Sequence, residues 1–225
     1  MECLYETTSY MVRTMMVDPR SSEAVQAAQS VVNTAVGVIV SDPKAIKNFI
    51  SISSIDYHTY THSVHVMTFA VSLGRRLGYS MGPELYELGY SGLFHDVGKS
   101  FIEPKLLDKG GPLTAEEFEE LKQHPNLGYK ALRQSGEVSE SVLDPVLHHH
   151  EKINGKGYPG GLEDKLISTN SRIISIVDIF DALTTQRTYR EASDAFPALQ
   201  MMKDLVGPAL DPKIFNEFVR MLGEM

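Results

Sequence analysis

Apolar residues along this chain recur at helical rather than alternating spacing, and the gaps between apolar stretches carry helix punctuation. In residues 21–40, alanine, glutamine and valine follow serines that can cap a helix. The stretch stops where Asp42 can cap and Pro43 can take the first position of a next helix. The same spacing predicts helices over 56–80, ended at Gly78, and over 82–100, opened by Pro83. Over 113–125, Thr114 and Glu117 form a capping box and Pro125 limits the segment. Further helices are predicted over 139–150, 171–186, 194–206 and 211–222. Strand patterning is nearly absent. Residues 172–177 alone are rich enough in isoleucine and valine to be ambiguous, and they run straight into "DIFDAL" with helical spacing. The expected fold class is all-α, a helical bundle in one domain. No repeat or low-complexity tract interrupts it, and the first ~50 residues, which carry none of the chemistry below, read as a helical cap.

Composition narrows the picture. A chain of 225 residues with 42% apolar content can bury one substantial core. The formal charge of −8 comes from dispersed acidic residues, which argues against a nucleic-acid polymer as partner. Any phosphate ligand must then be held by a local cluster. Cys3 is the only cysteine, which excludes an intramolecular disulfide and a cysteine-built zinc site and points to a reducing, cytoplasmic compartment. The apolar stretch 31–40 is interrupted by Asn33 and Thr34 and falls short of the ~20 residues that span a bilayer, so no membrane contact is expected. The N-terminal residues lack the basic-then-apolar pattern of a secretory leader.

The chemistry lies in the eight histidines and their neighbours. His58 and His62 are four apart, so on one helix their rings share a face. His95 and Asp96 are adjacent, with Lys99 three residues on, and His124 precedes Pro125. His148, His149 and His150 run into Glu151 and the turn "GKGYPGG"; Asp178 lies among "IISIVDIF" with Asp181 one turn on. Imidazoles and carboxylates without thiolate suit iron, manganese or zinc, and a carboxylate can bridge two cations. Singly, each has an ordinary explanation: His65 and His148 as satisfied surface or core residues, "GKGYPGG" as a surface turn, the basic residues as solvated charges. A carboxylate such as Asp178 in so apolar a neighbourhood is costly unless paired. The joint arrangement carries the weight.

The series "HTYTH", "HDVGK", "HPNLG", "HHE" with "GKGYP", and "DIFDALTTQRTYR" resembles the HD-GYP subfamily of HD-domain metal-dependent phosphohydrolases, over about residues 50–205. The resemblance implies an all-helical HD domain over 51–225, with 1–50 as an N-terminal cap or a link to a sensor region. It implies two or three divalent metal ions, iron or manganese foremost, and hydrolysis of cyclic di-GMP to linear pGpG and in some members onward to GMP. Carried over residue by residue, the ligands fall on His62, His95, Asp96, His124, His149, His150 and Asp178, with Asp96 bridging the metals. The family ties its histidine pair to the following glutamate and the GYP turn, which selects His149 and His150 over His148. Asp96 and Lys99 take the catalytic positions. Lys99, Tyr158, Arg187 and Arg190 meet substrate, and Glu151 and Asp181 support the ligands from behind. At His58 many members have tyrosine, and some a glutamate that belongs to a third metal site. A histidine there either ligates a third cation or replaces tyrosine as a hydrogen-bonding group. The implied partners are cyclic di-GMP as substrate, a signalling protein at the GYP turn and a second copy in a homodimer. Two alternatives stand beside this: a hydrolase of another cyclic or linear nucleotide, and a catalytically weak cyclic di-GMP-binding module. Against the module, every mapped residue is a competent ligand or phosphate contact.

Overall fold

The computed structural model describes residues 2–42, 59–185 and 194–224, so His58, Arg187 and Arg190 lie outside the described residues. Two N-terminal helices, α1 (Glu2–Val17) and α2 (Ser22–Ser41), precede the central pair α3 (Thr59–Arg76) and α4 (Pro83–Phe94). A 3₁₀ turn (Val97–Phe101) and short helices α5 (Pro104–Leu107) and α6 (Ala115–Leu121) lead to α7 (His124–Ser135) and α8 (Glu140–His148). After a second 3₁₀ turn (Asp164–Leu166) come α9 (Thr169–Thr184), α10 (Ala195–Lys203) and α11 (Pro212–Gly223). The described residues contain no strand, only isolated bridges Asn154–Glu163 and Val206–Leu210. The fold is all-α.

Local chemistry accounts for most boundaries. Ser21 caps α2 by accepting from the Ala24 amide, Thr114 and Glu117 close a capping box on α6, and Ser168 caps α9 through Ser171 N–H. Pro125, expected to limit the helix before it, instead sits in the first turn of α7. Proline's missing N–H is no loss there, because the first amides of a helix have no intrahelical partner. The helix expected over 82–100 ends at Phe94. Asp96, at φ −99° and ψ 6°, leaves the α region, and the chain continues as a 3₁₀ turn.

α3 is the axis of the molecule and is buried from Thr61 to Gly74. One side, with Val64, Met67 and Val71, packs in a core shared with α1, α2, α4 and α8. The other side, with Val66, Phe69, Ala70 and Leu73, packs against α9, α10 and α11. There Phe69, Phe180 and Phe218 meet edge to face, with ring centroids 5.0–5.8 Å apart. Such pairs contribute ~0.5–1.5 kcal/mol each beyond the area they bury. α2 is longer than the apolar stretch within it and, by length and composition, could cross a membrane. Here its Val25, Ala28, Val32, Ala35, Val36 and Ile39 face is buried in the first core.

Candidate metal centre

The start of α3, the end of α4, the start of α7, the end of α8 and the middle of α9 converge on one point, and each contributes histidine or aspartate. Gly98 and Gly157 allow the closest approaches. A Cβ on Gly98 would collide with the His124 carbonyl, so the turn after Asp96 lies directly against the start of α7. A Cβ on Gly157 would meet the backbone of His150, Glu151 and Lys152, so the GYP turn folds back onto the histidine pair.

Hydrogen bonds fix which ring nitrogens face inward. His95 Nδ1 donates to Gly92 O at 2.8 Å, His124 Nδ1 to Leu121 O at 2.8 Å and His149 Nδ1 to Val146 O at 3.0 Å. With Nδ1 of each ring turned to a backbone carbonyl, it is Nε2 that faces the centre, the nitrogen that carries the lone pair in that neutral tautomer. The Nε2 atoms of His124 and His149 lie 3.3 Å apart. Asp96 Oδ1 is 3.3 Å from His124 Nε2 and 3.9 Å from His149 Nε2, buried and without a hydrogen-bond partner among the described residues. Its Oδ2 pairs with Lys99 Nζ at 2.5 Å and lies 3.4 Å from His95 Nε2 and 3.7 Å from His62 Nε2. Buried acceptors that face one another are costly alone and suit a cation. This nitrogen and oxygen donor set fits a divalent metal ion.

Three groupings bring one ligand atom from each member within 4.8 Å of the others: Asp96, His124, His149 and His150; His62, His95 and Asp96; His95, His149 and Asp178. Asp96 belongs to two of them. Behind His62 lies Asp181, which accepts from His62 Nδ1 and His65 Nδ1, each at 2.6 Å, while His62 Nε2 lies 3.0 Å from Asp178 Oδ1. Histidine ligands commonly lean on such carboxylates, which fix ring orientation.

The electrostatics follow from burial against charge. Burial is the largest influence on His62 and acts to lower its pKa. Hydrogen bonds and charge from Asp178 and Asp181 outweigh it and raise His62 to about 9. Burial, then the charges of neighbouring histidines, hold His149 well below its ordinary value, and burial lowers His150 to about 3. Burial opposes ionisation of Asp96 most strongly, yet Lys99, His95 and His124 hold it well below the carboxylate range. Asp178 is likewise held low against burial by His62, His95 and His150. Burial first, then Asp178 and Asp96, push the Tyr158 phenol up.

The GYP turn is pinned from inside. Buried Glu151 accepts from the amides of Gly160 at 2.5 Å and Leu162 at 2.9 Å, and Tyr158 N–H donates to His150 O at 3.3 Å. The Tyr158 ring then stacks on His150, with centroids 4.7 Å apart and planes 29° apart.

The family model described as "HD domain" matches residues 45–214, the stretch that holds every residue of this cluster. The chain belongs to the HD-domain family. Within it, this HD-domain chain is of the HD-GYP type. It is 35% identical over 214 residues to the cyclic di-GMP phosphodiesterase PA4108 of Pseudomonas aeruginosa, covering 94% of this chain and 51% of the relative. It is 33% identical to the 3′3′-cGAMP-specific phosphodiesterase 3 of Vibrio cholerae, covering 70% of this chain and 34% of the relative. The fold matches Bd1817, an HD-GYP-type protein from Bdellovibrio bacteriovorus, with a TM-score of 0.84 at 21% identity over 98% of this chain and 70% of that one. The chain spans about half the length of curated relatives it matches, 51% and 46% of two cyclic di-GMP phosphodiesterases.

Of the residues read from sequence, His62, His95, Asp96, Lys99, His124, His149, His150, Glu151, Tyr158, Asp178 and Asp181 meet at this HD-domain centre. His148 turns away and pairs with Asp144 at 2.8 Å. Sequence reasoning treated His65 as an isolated histidine. Its spacing of three from His62 was the signal that both lean on one carboxylate. Phe118 and Lys122 also escaped it, although they stand four apart on the approach to His124.

Proposed function

We propose that this HD-GYP domain hydrolyses cyclic di-GMP to linear pGpG, using two or three divalent cations, iron or manganese foremost. The observation that carries the reading is Asp96: a buried carboxylate shared between two ligand groupings, with Lys99 on one oxygen and no hydrogen bond to the other. Residues His62, His95, His124, His149, His150 and Asp178 would complete the ligand set. Bound divalent cations supply Lewis acidity, which acidifies water and offsets the charge of a phosphodiester.

The chain's own residues do the rest. Lys99, held by Asp96, brings a positive charge to the non-bridging phosphate oxygens. Tyr158 stays protonated because its phenol is pushed up, so it serves as a hydrogen-bond donor rather than a base. His149 and His150, held neutral, keep lone pairs available as ligands without first losing a proton. Arg187 and Arg190, outside the described residues, would add charge at the substrate phosphates. α1 and α2 would cap the catalytic helices, and a cytoplasmic setting fits the lone cysteine.

The test is chromatography of cyclic di-GMP incubated with protein whose metal content has been measured. Appearance of pGpG in proportion to metal loading is expected, and metal-loaded protein that leaves the substrate intact would overturn the reading. A second substrate, 3′3′-cGAMP, belongs in the same assay because a relative at 33% identity is named for it.

A further inference from the structure

An aromatic row leads out of the metal centre to a surface that the proposed chemistry leaves unused. The His124 ring lies 5.0 Å from His150, His150 stacks on Tyr158, and Tyr158 meets Phe118 edge to face at 6.4 Å. Phe118, on α6, is 46% exposed. Lys122, four residues on at the C-cap of α6, has Nζ 5.4 Å from the Phe118 centroid and 5.6 Å from that of Tyr158. The same Nζ pairs with Glu119 Oε1 at 2.6 Å, and the Glu119 side chain is 65% exposed.

A single exposed phenylalanine is ordinary on a protein surface. This one is continuous with the ligand cluster through two rings and carries a cation and a carboxylate beside it. Bases stack on such aromatic faces whatever their identity, and polar neighbours then discriminate among them. The Lys122–Glu119 pair is a surface ion pair of the kind that contributes little to stability, so a ligand can open it at low cost. Opened, it offers a donor next to an acceptor. Guanine carries an acceptor, O6, beside the donors N1–H and N2–H, so Lys122 matches O6 and Glu119 matches the two N–H groups. Adenine inverts both positions: its N6 amino group would face the ammonium and its N1 lone pair the carboxylate.

We propose that Phe118, Glu119 and Lys122 form a guanine-reading subsite at the rim of the metal centre, which selects guanine-containing cyclic dinucleotides over adenine-containing ones. The proposal rests on the phosphodiesterase reading above and names the specificity of that site. All three side chains reach the surface, so substitutions there are compatible with folding.

The experiment compares steady-state kinetics of the metal-loaded chain on cyclic di-GMP, cyclic di-AMP and the base-free diester bis(4-nitrophenyl) phosphate. Phe118→Ala and Lys122→Met should each raise KM for cyclic di-GMP by ~fivefold or more, with a much smaller change on the base-free diester. Glu119→Gln should reduce the preference for cyclic di-GMP over cyclic di-AMP, as a ratio of kcat/KM, by ~tenfold. Equal changes on all three substrates, or wild-type KM and selectivity in every variant, would overturn the subsite while the hydrolase stands. A wild-type protein that cleaves the base-free diester but no cyclic dinucleotide would instead overturn the reading of cyclic di-GMP as substrate.

Discussion

His62 and Asp181 are joined by a buried hydrogen bond of 2.6 Å from Nδ1 to Oδ2, and the other oxygen of the same carboxylate takes His65 at 2.6 Å. One aspartate on α9 thus orients two rings on α3. Asp181→Asn keeps the shape but turns one acceptor into an amide donor, so one histidine loses its partner. Metal affinity, measured by competition with a chelator, should fall roughly 10–100-fold. Wild-type affinity in this variant would remove Asp181 from any supporting role.

Asp96 is expected to matter more, because it belongs to two of the three ligand groupings. Asp96→Ala should reduce bound metal from about two ions per chain to fewer than one and abolish hydrolysis. Elemental analysis of protein purified in parallel checks this. Retention of two ions with full turnover would show that the cations sit elsewhere.

Gly98 tests the packing rather than the chemistry. Since a Cβ there collides with the His124 carbonyl, Gly98→Ala must push the turn after Asp96 away from α7. The expected loss is ~1–3 kcal/mol of stability in denaturant unfolding, accompanied by weaker metal retention. A variant as stable as wild type would mean that the two segments can separate freely.

Asp211 gives a pH-dependent prediction. It caps α11 by accepting from the Lys213 and Ile214 amides and pairs with Arg172 Nη1 at 2.7 Å. Burial acts to raise its pKa, but Arg172 and the amides hold the carboxyl below its ordinary value. A depressed carboxylate stabilises the fold above its unfolded pKa of ~3.9, and that contribution disappears as pH falls through the folded value. Asp211→Ala should therefore cost ~1–2 kcal/mol at neutral pH, and the difference from wild type should shrink below about pH 4. Thermal unfolding of both proteins across that range measures it. A difference that is constant with pH would assign the effect to something other than the charge.

Much of this protein was legible in one dimension because its signals are local. Helical spacing and caps at Ser21, Pro83 and Thr114 act within a turn of the chain, so the all-α class followed from sequence. Helix starts were less secure where proline was concerned, since Pro125 can end one segment or open the next, and only its neighbours in space decide. Motif order likewise supplied the histidines and aspartates of the centre. The amino acids that can hold a cation are few, and their spacing along helices restricts which can share a face.

The sequence alone thus determined the helical class, the family resemblance and the set of residues able to hold metal. Tertiary structure decided how those residues divide their work. Nothing in the order of residues says that one oxygen of Asp96 goes to Lys99 while the other faces Nε2 of His124 and His149, that the carboxylate shared by His62 and His65 is that of Asp181, or that Phe118 and Lys122 of α6 reach Tyr158 in the GYP turn. All but the Asp96–Lys99 pair join atoms far apart in sequence, and their directions are set by helix packing and hydrogen-bond geometry. A linear spacing encodes neither of these.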